Sequence, residues 1–480
     1  MATISSPGVG SGLDVNSIVT QLVAIERQPI TKLQKQATSL QTQLSAFGKL
    51  KSNLSALRDA ASTLARNTTW SQTSGASSDS SSLAVTTDAN NRPGSYSVLV
   101  TKLASSQSNV SAIFASSAAI LGEGSLRIEV GTWGAGSSTF TPKPDATAID
   151  ITVGPPAKSL AEVRDMVNAA NSGVTATVLT DASGARLVFS SSNTGAANGF
   201  RISVTDTDGN SADASGLSAL AYDPSVGMVT MAQALAAANA AALINGTPVS
   251  SSSNTLTNIV DGMTLTLGRV TGAPVQITTA EDKESIRKKI EAFVTAYNDL
   301  NKELAEQTKY DPNSKTAGTL QGDSAALGLR GALRNTLGAT SPASAVFTRL
   351  ADVGFDLQRD GSIKLETSKL DNGLANLAEL KKLFANSDIA VPANNGIATI
   401  LRSRADQALG VDGSLSTRSE GLRTRISTNE KRQAELNDRV AQVEVRLRAQ
   451  YTALDRKMAE LQSLSGYVAQ QVTQWNRNTS

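Results

Sequence analysis

The amino-acid sequence predicts an α+β multidomain protein, in which discontinuous β-rich head domains are inserted between N- and C-terminal helical, coiled-coil legs. Apolar residues repeat every seven positions at both ends of the chain, which is the period of a coiled coil. Between these ends, apolar and polar residues alternate as in half-buried strands, until a helical period returns near Thr279. The chain is therefore expected to run out along one leg, form the head and return along the other.

The C-terminal tail from Thr417 to Trp475 carries the longest repeat. Steps of seven residues give a seam that is apolar at every position but one: Ile426, Gln433, Val440, Leu447, Leu454, Leu461, Val468 and Trp475. A second line, which starts at Leu422, drifts sideways and so predicts a nearly straight rod. Thr417 and Glu420 have the spacing of a capping box, so the helix is expected to begin there. A rod of about 85 Å cannot bury its own apolar stripe and needs a partner.

The N-terminal region predicts two helices with a matching seam. Asp14 is expected to cap the first, and Pro29 is expected to end or kink it. Its apolar face includes Val15, Ile18, Val19, Leu22 and Ile25. The second helix repeats Leu33, Leu40, Phe47 and Leu54 at seven-residue spacing. The two ends are expected to pack on each other, and the pattern leaves open whether they do so within one monomer or between subunits.

Residues from about 83 to 279 predict a β-rich region, because period-two runs alternate with Asn, Gly and Pro turns. Ser159 to Asn171 and Met231 to Leu243 predict two short helices that interrupt the strands. The passage from Thr69 to Ser82 is rich in Ser, Thr, Gly and Gln and predicts a linker. A turn-rich segment near 205 to 225 divides the strands into two sets, so two subdomains are expected.

A mainly helical region follows. Apolar residues from Ile286 to Leu304 alternate steps of four and three, which predicts an amphipathic helix. Further helices are expected from Asp323 to Leu337, after Ser368 and from Ile397 to Leu409, with a hairpin between Phe355 and Leu365.

These patterns divide the chain into four domains. They are a terminal helical leg (1–40 and 417–480), a mainly helical bundle domain (41–72 and 280–416), an inner β-rich head domain (73–108 and 225–279) and an outer β-rich head domain (109–224). Since the terminal seams lie outside it, the fragment 83–409 is expected to fold without either leg.

The composition argues against an enzyme. The chain has 480 residues, no cysteine and no histidine, which removes thiol and imidazole nucleophiles, bases and metal ligands together. No catalytic, cofactor-binding or metal-binding residue is predicted. A formal net charge of +2 creates no strong attraction to nucleic acid or acidic membranes. No stretch is apolar enough to span a bilayer, and the N-terminus lacks the pattern of a Sec-type signal.

Four weaker motifs favour ordinary structural interpretations. Glycine-rich stretches at Gly8 and Gly134 look like phosphate-binding loops, but the first has no preceding strand and the second has no Walker lysine, so flexible loops are favoured. The Asp206-Thr-Asp-Gly-Asn run resembles a calcium loop, but its glycine comes too early and no glutamate closes it, so a turn cluster is favoured. Basic residues of the tail such as Arg423 alternate with glutamates, which favours a solvated coiled-coil flank over a nucleic-acid surface.

Several segments resemble the flagellar filament cap proteins, the hook-associated protein 2 family. The stretch that begins Gly12-Leu-Asp-Val-Asn-Ser and ends at Ile30 looks like the N-terminal signature of that family. Ile244-Asn-Gly-Thr-Pro-Val and Val260-Asp-Gly-Met resemble its flagellin hook motif. Phe293-Val-Thr-Ala-Tyr-Asn-Asp-Leu and the final rod are similar to its C-terminal region. Residues 109 to 224 contribute nothing to the resemblance.

The resemblance implies a non-enzymatic protein that caps the distal tip of the bacterial flagellum and needs no cofactor. Such a protein is secreted through the flagellar type III export apparatus with an export chaperone, and it acts outside the cell next to the hook–filament junction proteins. It forms an annular homo-oligomer of a size that the sequence does not determine, promotes folding and insertion of exported flagellin and prevents flagellin loss. Nucleic acid and membrane insertion are not expected.

The apolar seam residues of the legs are then expected to contact other subunits or flagellin. They are Ile18, Val19, Leu22, Ile25, Leu33, Leu40, Phe47, Leu447, Leu454, Leu461, Val468 and Trp475. Two alternatives stay open. One is a secreted adhesin whose head binds a host glycan or mucin, although the recognisable motifs lie in the legs and inner head; the other is a cytosolic coiled-coil scaffold.

Overall fold

The computed structural model describes residues 14–211 and 213–477. The chain divides into two compact units. A mainly helical unit comprises Met1–Trp70 and Glu284–Ser480, and a β-rich unit comprises Ser71–Lys283. The β-rich unit is therefore an insertion between two helical segments of the sequence, which confirms the predicted fold class.

Helices dominate the first unit. In chain order the α-helices are α1 (Val15–Glu26), α2 (Gln28–Ala65), α3 (Asn67–Trp70), α4 (Leu160–Ala169), α5 (Lys283–Thr308), α6 (Ser324–Gly338), α7 (Thr367–Ala375), α8 (Leu377–Ala385), α9 (Ile397–Leu409) and α10 (Ser414–Arg477). Pro29 lies in the first turn of α2, where its missing N–H costs nothing, so the predicted break between the first two helices is confirmed.

Most strands belong to the second unit. They are β1 (Thr73–Ser77), β2 (Leu83–Thr87), β3 (Gly94–Lys102), β4 (Ser108–Val110), β5 (Gly124–Trp133), β6 (Phe140–Pro142), β7 (Ile149–Val153), β8 (Val174–Asp181), β9 (Gly184–Ser191), β10 (Gly199–Asp206), β11 (Tyr222–Asp223), β12 (Met228–Val229), β13 (Ala232–Leu235), β14 (Ala240–Ile244), β15 (Thr247–Ser251), β16 (Thr255–Val260), β17 (Met263–Leu267), β18 (Val275–Glu281), β19 (Tyr310–Asp311), β20 (Thr316–Ala317), β21 (Phe355–Leu357) and β22 (Ile363–Leu365).

The helical unit is built around one large core. Apolar faces of α2 and α5 meet there, with Phe47, Leu54, Phe293 and Tyr297 among its buried side chains. The predicted hairpin is confirmed as β21 and β22. The Asn298 amide holds it on α5, because it donates to the Ile363 carbonyl at 2.8 Å and accepts from the Ile363 N–H at 2.7 Å. The core thus joins segments that are hundreds of residues apart in sequence.

The β-rich unit contains two separate apolar cores. One core lies on sheets of order β1-β18-β3-β14-β15 and β16-β17-β2. The other lies between sheets of order β12-β11-β10-β5-β6 and β13-β4-β9-β8, with α4 packed on β8. The helix predicted at Ser159 is confirmed as α4, and Ser159 and Glu162 form its capping box. The four-domain division remains a prediction, although β13 pairs with β4 and so extends the outer set of strands past residue 224.

Three predictions about local structure are wrong. The predicted helix from Met231 to Leu243 consists of strands β13 and β14, because alternate residues of β14 face the core and its backbone pairs with β3. Tertiary pairing here overrides the helix propensity of alanine. The predicted linker from Thr69 contains β1, which pairs with β18. Its small residues are required, because a Cβ on Gly75 would lie 2.8 Å from the Val85 side chain.

The third error concerns the start of the C-terminal rod. Helix α10 begins at Ser414, and the Thr417 N–H already donates to the Gly413 carbonyl at 2.9 Å. Glu420 pairs with Arg423 instead of capping the helix.

The expectation that residues 83–409 fold alone also fails on structural grounds. The core of the helical unit includes Phe47 and Leu54 of α2 and Leu415 and Leu422 of α10, all of which that fragment lacks. The boundary of an independent fragment must therefore follow the two compact units.

Candidate interaction surface on the terminal helices

Helix α10 runs antiparallel to α1 and α2. Three side-chain hydrogen bonds fix this direction: Lys51 with Ser416, Asn429 with Gln36, and Arg448 with Asn16. Residues further along α10 therefore contact residues earlier in the chain. The predicted packing of the two ends on each other is confirmed, and it occurs within one chain.

The contact ends where α1 begins. A small core at this end comprises Val15, Val19, Val23, Ile30 and Val440, and half-buried Leu436, Leu447 and Tyr451 pack against it. Helix α1 begins at Val15, and the large apolar side chains of α10 beyond Tyr451 are exposed among the described residues. The segment of α10 beyond Tyr451, residues 452–477, is roughly 39 Å long at 1.5 Å per residue.

An apolar stripe follows one side of the uncovered segment. Leu461 is 60% exposed and Trp475 is 75% exposed. Steps of four, three and, once, seven residues connect the members of this stripe, which we call the distal stripe: Leu454, Met458, Leu461, Val468, Val472 and Trp475. Leu464 and Tyr467 lie beside it and are also exposed. Large apolar side chains gathered on one helix face mark an interaction site rather than an ordinary solvated surface.

The predicted interface residues fall into two groups. Val19, Leu40 and Phe47 are buried within the chain, while Ile18, Leu22, Leu33 and Leu447 are half-buried there. Leu454, Leu461, Val468 and Trp475 belong to the exposed distal stripe. Ile25 is 60% exposed, because Val23 and not Ile25 faces α10. One seam thus continues from a covered stretch into an uncovered one.

Val472, Leu464 and Tyr467 were missed by the sequence analysis. Val472 lies on the line of seven-residue steps that contains Tyr451 and Met458, but Ser465 interrupts that line. Following the line through one polar position would have found Val472. Leu464 and Tyr467 lie next to the seam and do not fall on its line of seven-residue steps, so the repeat along the seam does not predict them.

A buried polar cluster interrupts the covered seam. Asn429 is 4% exposed and donates to Gln36 Oε1 on α2 at 3.3 Å. The Gln433 amide donates in turn to Asn429 Oδ1 at 2.6 Å. An amide that is buried between helices is satisfied in one alignment only, so it sets the register of α10 against α2.

The weaker motifs can be assigned from the geometry. Asp206 accepts hydrogen bonds from the Ser218 N–H and hydroxyl, as expected for a turn cluster. Within the described ranges, no three acidic residues come together in a way that could hold a metal ion. Gly134 precedes a short 3₁₀ turn, and the Gly8 motif lies outside the described residues. No helix in the part of the chain that the structure describes has the length and apolar character needed to cross a membrane.

The chain matches two family models. They are described as the N-terminus and the C-terminus of flagellar hook-associated protein 2, and they match residues 11–107 and 237–463. The stretch between them includes the outer strands, which also contributed nothing to the resemblance in the sequence.

Similar proteins span nearly the whole chain. A flagellar hook-associated protein 2 of Escherichia coli K12 is 30% identical, with 98% of each chain covered. The A-type protein of Pseudomonas aeruginosa is 29% identical, with 96% of each covered. The crystal structure of the D1-D2-D3 domains of the flagellar cap protein FliD from Escherichia coli superposes with a TM-score of 0.63 at 27% identity, and covers 79% of this chain and 99% of that chain.

Proposed function

Because the chain belongs to the flagellar hook-associated protein 2 family, we propose that it is a structural protein that caps the distal tip of the bacterial flagellar filament. The relative whose structure it shares is described as a flagellar cap protein. These similarities support the cap and not the alternative of a secreted adhesin.

The distal stripe is the observation that carries the mode of attachment. The same seam already binds helices α1 and α2 through its first half, so its exposed second half has the chemistry to bind another amphipathic helix. We propose that this half docks into the helical wall of the filament, against flagellin or neighbouring subunits. Exposed apolar residues that can be buried reversibly suit a leg that must release and re-dock as each flagellin enters.

The finer steps of the proposal concern assembly. Several copies form an annular homo-oligomer at the tip, next to the most recently added flagellin, and this ring promotes flagellin folding and prevents its loss. The chain contacts hook–filament junction proteins when assembly begins. It performs no catalysis, binds no nucleic acid and does not insert into a membrane.

Export fits the composition of the chain. A protein that leaves the cell through the flagellar type III apparatus, held by an export chaperone, must pass unfolded before it reaches the extracellular filament tip. The sequence contains no cysteine, so no disulfide can form and trap a partly folded chain on this route.

Deletion of the encoding gene tests the cap function. The deletion strain is expected to be non-motile and to release monomeric flagellin into the medium, because flagellin would leave the open tip before it folds. Complementation with the full chain is the control and should restore filaments. Normal filaments in the deletion strain would contradict the proposal.

A further inference from the structure

Helix α10 carries exposed arginines at seven-residue spacing. They form what we call the arginine row: Arg425, Arg432, Arg439 and Arg446. At 1.5 Å per residue the row is roughly 32 Å long. Each arginine directly precedes a residue of the apolar seam, namely Ile426, Gln433, Val440 and Leu447. In a coiled coil, charged residues at this edge of the seam select the partner helix and its orientation.

The arginine row is left unpaired by its own helix. No member makes an ion pair or a side-chain hydrogen bond within the described residues 14–211 and 213–477. Glu435 is the single carboxylate three or four residues from any member, and it forms no ion pair with them. Other arginines of α10 are paired: Arg418 with Asp323 at 2.8 Å, Arg423 with Glu420 at 3.2 Å and Arg448 with Glu444 at 2.9 Å.

The helices that pack on α10 do not neutralise the row either. Between Gln28 and Leu57, helix α2 carries four lysines and no carboxylate. In α1, the Asp14 carboxylate caps the helix, and the exposed Glu26 makes no ion pair in the part of the chain that the structure describes. Residues 1–13 contain no charged side chain. Carboxylates for the row can therefore come only from outside the terminal helices of this chain.

The arginine row and the distal stripe lie toward the same flank of α10. Glu444 marks the other flank, where it lines a depression together with Thr20 and Arg27. Seven residues of a straight helix fall about 20° short of two full turns, so the apolar line turns by that angle at each step toward Trp475. The turn is directed to the side of the preceding residue, which is the side of the arginine row. One helix lying along this flank can therefore contact both features.

We propose that the arginine row binds carboxylates on an amphipathic helix of the filament wall, along the flank where the distal stripe binds the apolar face of that helix. This inference rests on the proposed docking of the leg and specifies the chemistry of the partner: aspartates or glutamates at seven-residue spacing beside an apolar stripe. The seam that adjoins the row already packs on helices, which favours a helix over a nucleic acid. Exposed ion pairs contribute little each and weaken in salt, as suits contacts that form and break repeatedly.

Cosedimentation of the full chain with filament fragments, polymerised from flagellin of the same bacterium, tests the row. Arg432→Gln/Arg439→Gln is expected to bind roughly five-fold more weakly than the parent chain at low salt, and to lose less affinity as salt is added. Its Tm should not change, because both arginines are exposed.

The matched control is Lys431→Gln/Arg456→Gln, which removes the same charge from the face of α10 opposite the seam. It is expected to bind like the parent chain. Equal binding by the two double variants, or a parent chain that does not bind the fragments, would overturn the proposal.

A zero-length carbodiimide crosslinker identifies the carboxylates that contact the row. Arg439→Lys keeps the positive charge and supplies an amine, and Arg456→Lys does the same on the opposite face. Crosslinks to aspartates or glutamates of flagellin are expected from position 439 and not from position 456. Equal yields from the two positions, or crosslinks from position 439 to another copy of this chain instead of flagellin, would contradict the assignment.

Two comparisons separate this inference from its alternatives. A parent chain that binds duplex DNA more tightly than filament fragments at the same salt concentration would assign the row to nucleic acid and overturn the proposal. If the deletion strain leaks flagellin while both double variants bind the fragments equally, the row is excluded and the cap function stands. Normal filaments in the deletion strain would instead show that the cap function itself is wrong.

Discussion

At the residue scale, single polar side chains decide how apolar surfaces are aligned. A polar residue on the seam, such as Asn429, makes a coiled coil less stable than an apolar residue at the same position. Its hydrogen bond to Gln36 instead favours one register of α10 against α2. Asp388 fixes local structure in a similar way, since its carboxylate accepts from the Ala390 and Val391 N–H groups in the loop between α8 and α9.

Replacement of Asn429 tests whether this residue lowers the stability of the helix pair while it fixes the register. Asn429→Leu is expected to raise the free energy of unfolding of the full chain by roughly 1 kcal/mol, because an apolar side chain then fills the seam. Urea denaturation followed by circular dichroism measures the change. Gln34→Ala is the control and should alter stability little, since Gln34 is exposed on α2 and lies outside this amide pair. A loss of stability in Asn429→Leu would show that the amide pair is mainly stabilising.

Glu379 makes the helical unit sensitive to acid. Hydrogen bonds from Lys382 and Ser344 lower the pKa of Glu379 from 4.5 to about 2. Because the folded pKa lies below the unfolded value, the stabilisation is present above pH 4.5 and is lost as the pH falls toward 2. Glu379→Gln is therefore expected to lower Tm at pH 6 and to flatten the fall of Tm between pH 4.5 and 2.

The control for this prediction is Glu420→Gln, which removes a carboxylate from an exposed pair with Arg423. Its Tm should follow the parent chain at every pH. An unchanged acid dependence in Glu379→Gln would mean that other carboxylates account for the acid sensitivity.

At the element scale, α10 combines a structural half and an exposed half in a single helix. Its 64 residues make a rod of about 96 Å. The first half contributes Leu415 and Leu422 to the core of the helical unit, and Arg418 pairs with Asp323, the N-cap of α6, at 2.8 Å. The second half carries the distal stripe. Changes at the two ends of the same helix should therefore have different consequences.

Substitution within the distal stripe separates binding from folding. Leu454→Asp/Leu461→Asp is expected to abolish capping, because carboxylates buried against a partner helix would be left unpaired. Both residues are exposed in the free chain, so Tm should not change. Flagellin in the medium and the thermal melting curve are the two measurements.

The matched control adds the same charge to another face of α10. Ala453→Asp/Ser463→Asp lies off the stripe and should keep capping and Tm unchanged. Normal filaments from the Leu454→Asp/Leu461→Asp strain would show that the stripe does not mediate attachment.

At the scale of the whole molecule, the chain consists of two units with different internal organisation. The helical unit takes its core from both ends of the chain, so it cannot form until the entire sequence is present. The β-rich unit is continuous in sequence and has two cores of its own. If the chain is exported unfolded, as proposed above, the β-rich unit can fold early and the helical unit must wait for the C-terminal helix.

Isolation of the β-rich unit tests this organisation. The fragment 71–283 keeps the pairing of β1 with β18 and both apolar cores, so it is expected to melt cooperatively. The fragment 83–409 lacks β1, all of α2 and all of α10 and is expected to show no cooperative transition for its helical part. Differential scanning calorimetry of both fragments provides the comparison. A non-cooperative 71–283 fragment would contradict the division.

The sequence by itself determined the features that follow from local periodicity. The seven-residue seams, the insertion of strands between helices, the break at Pro29 and the short helix near Ser159 were all predicted, because the periodic pattern and the helix break depend on neighbouring residues. Part of the candidate surface was also predicted from the sequence, since Leu454 and Trp475 lie on the line of seven-residue steps. The resemblance to a family depended on contiguous motifs, so it could also be recognised from the sequence alone.

Tertiary structure decided what depends on residues far apart in the chain. The heptad pattern does not show how much of the seam is buried; among the described residues, Tyr451 is the last residue of α10 that packs on the core with α1. The alanine-rich run at Ala240 is a strand only because β3 pairs with it. In each case the free energy comes from burial and pairing between distant segments, and this is a property of the folded chain and not of any single stretch.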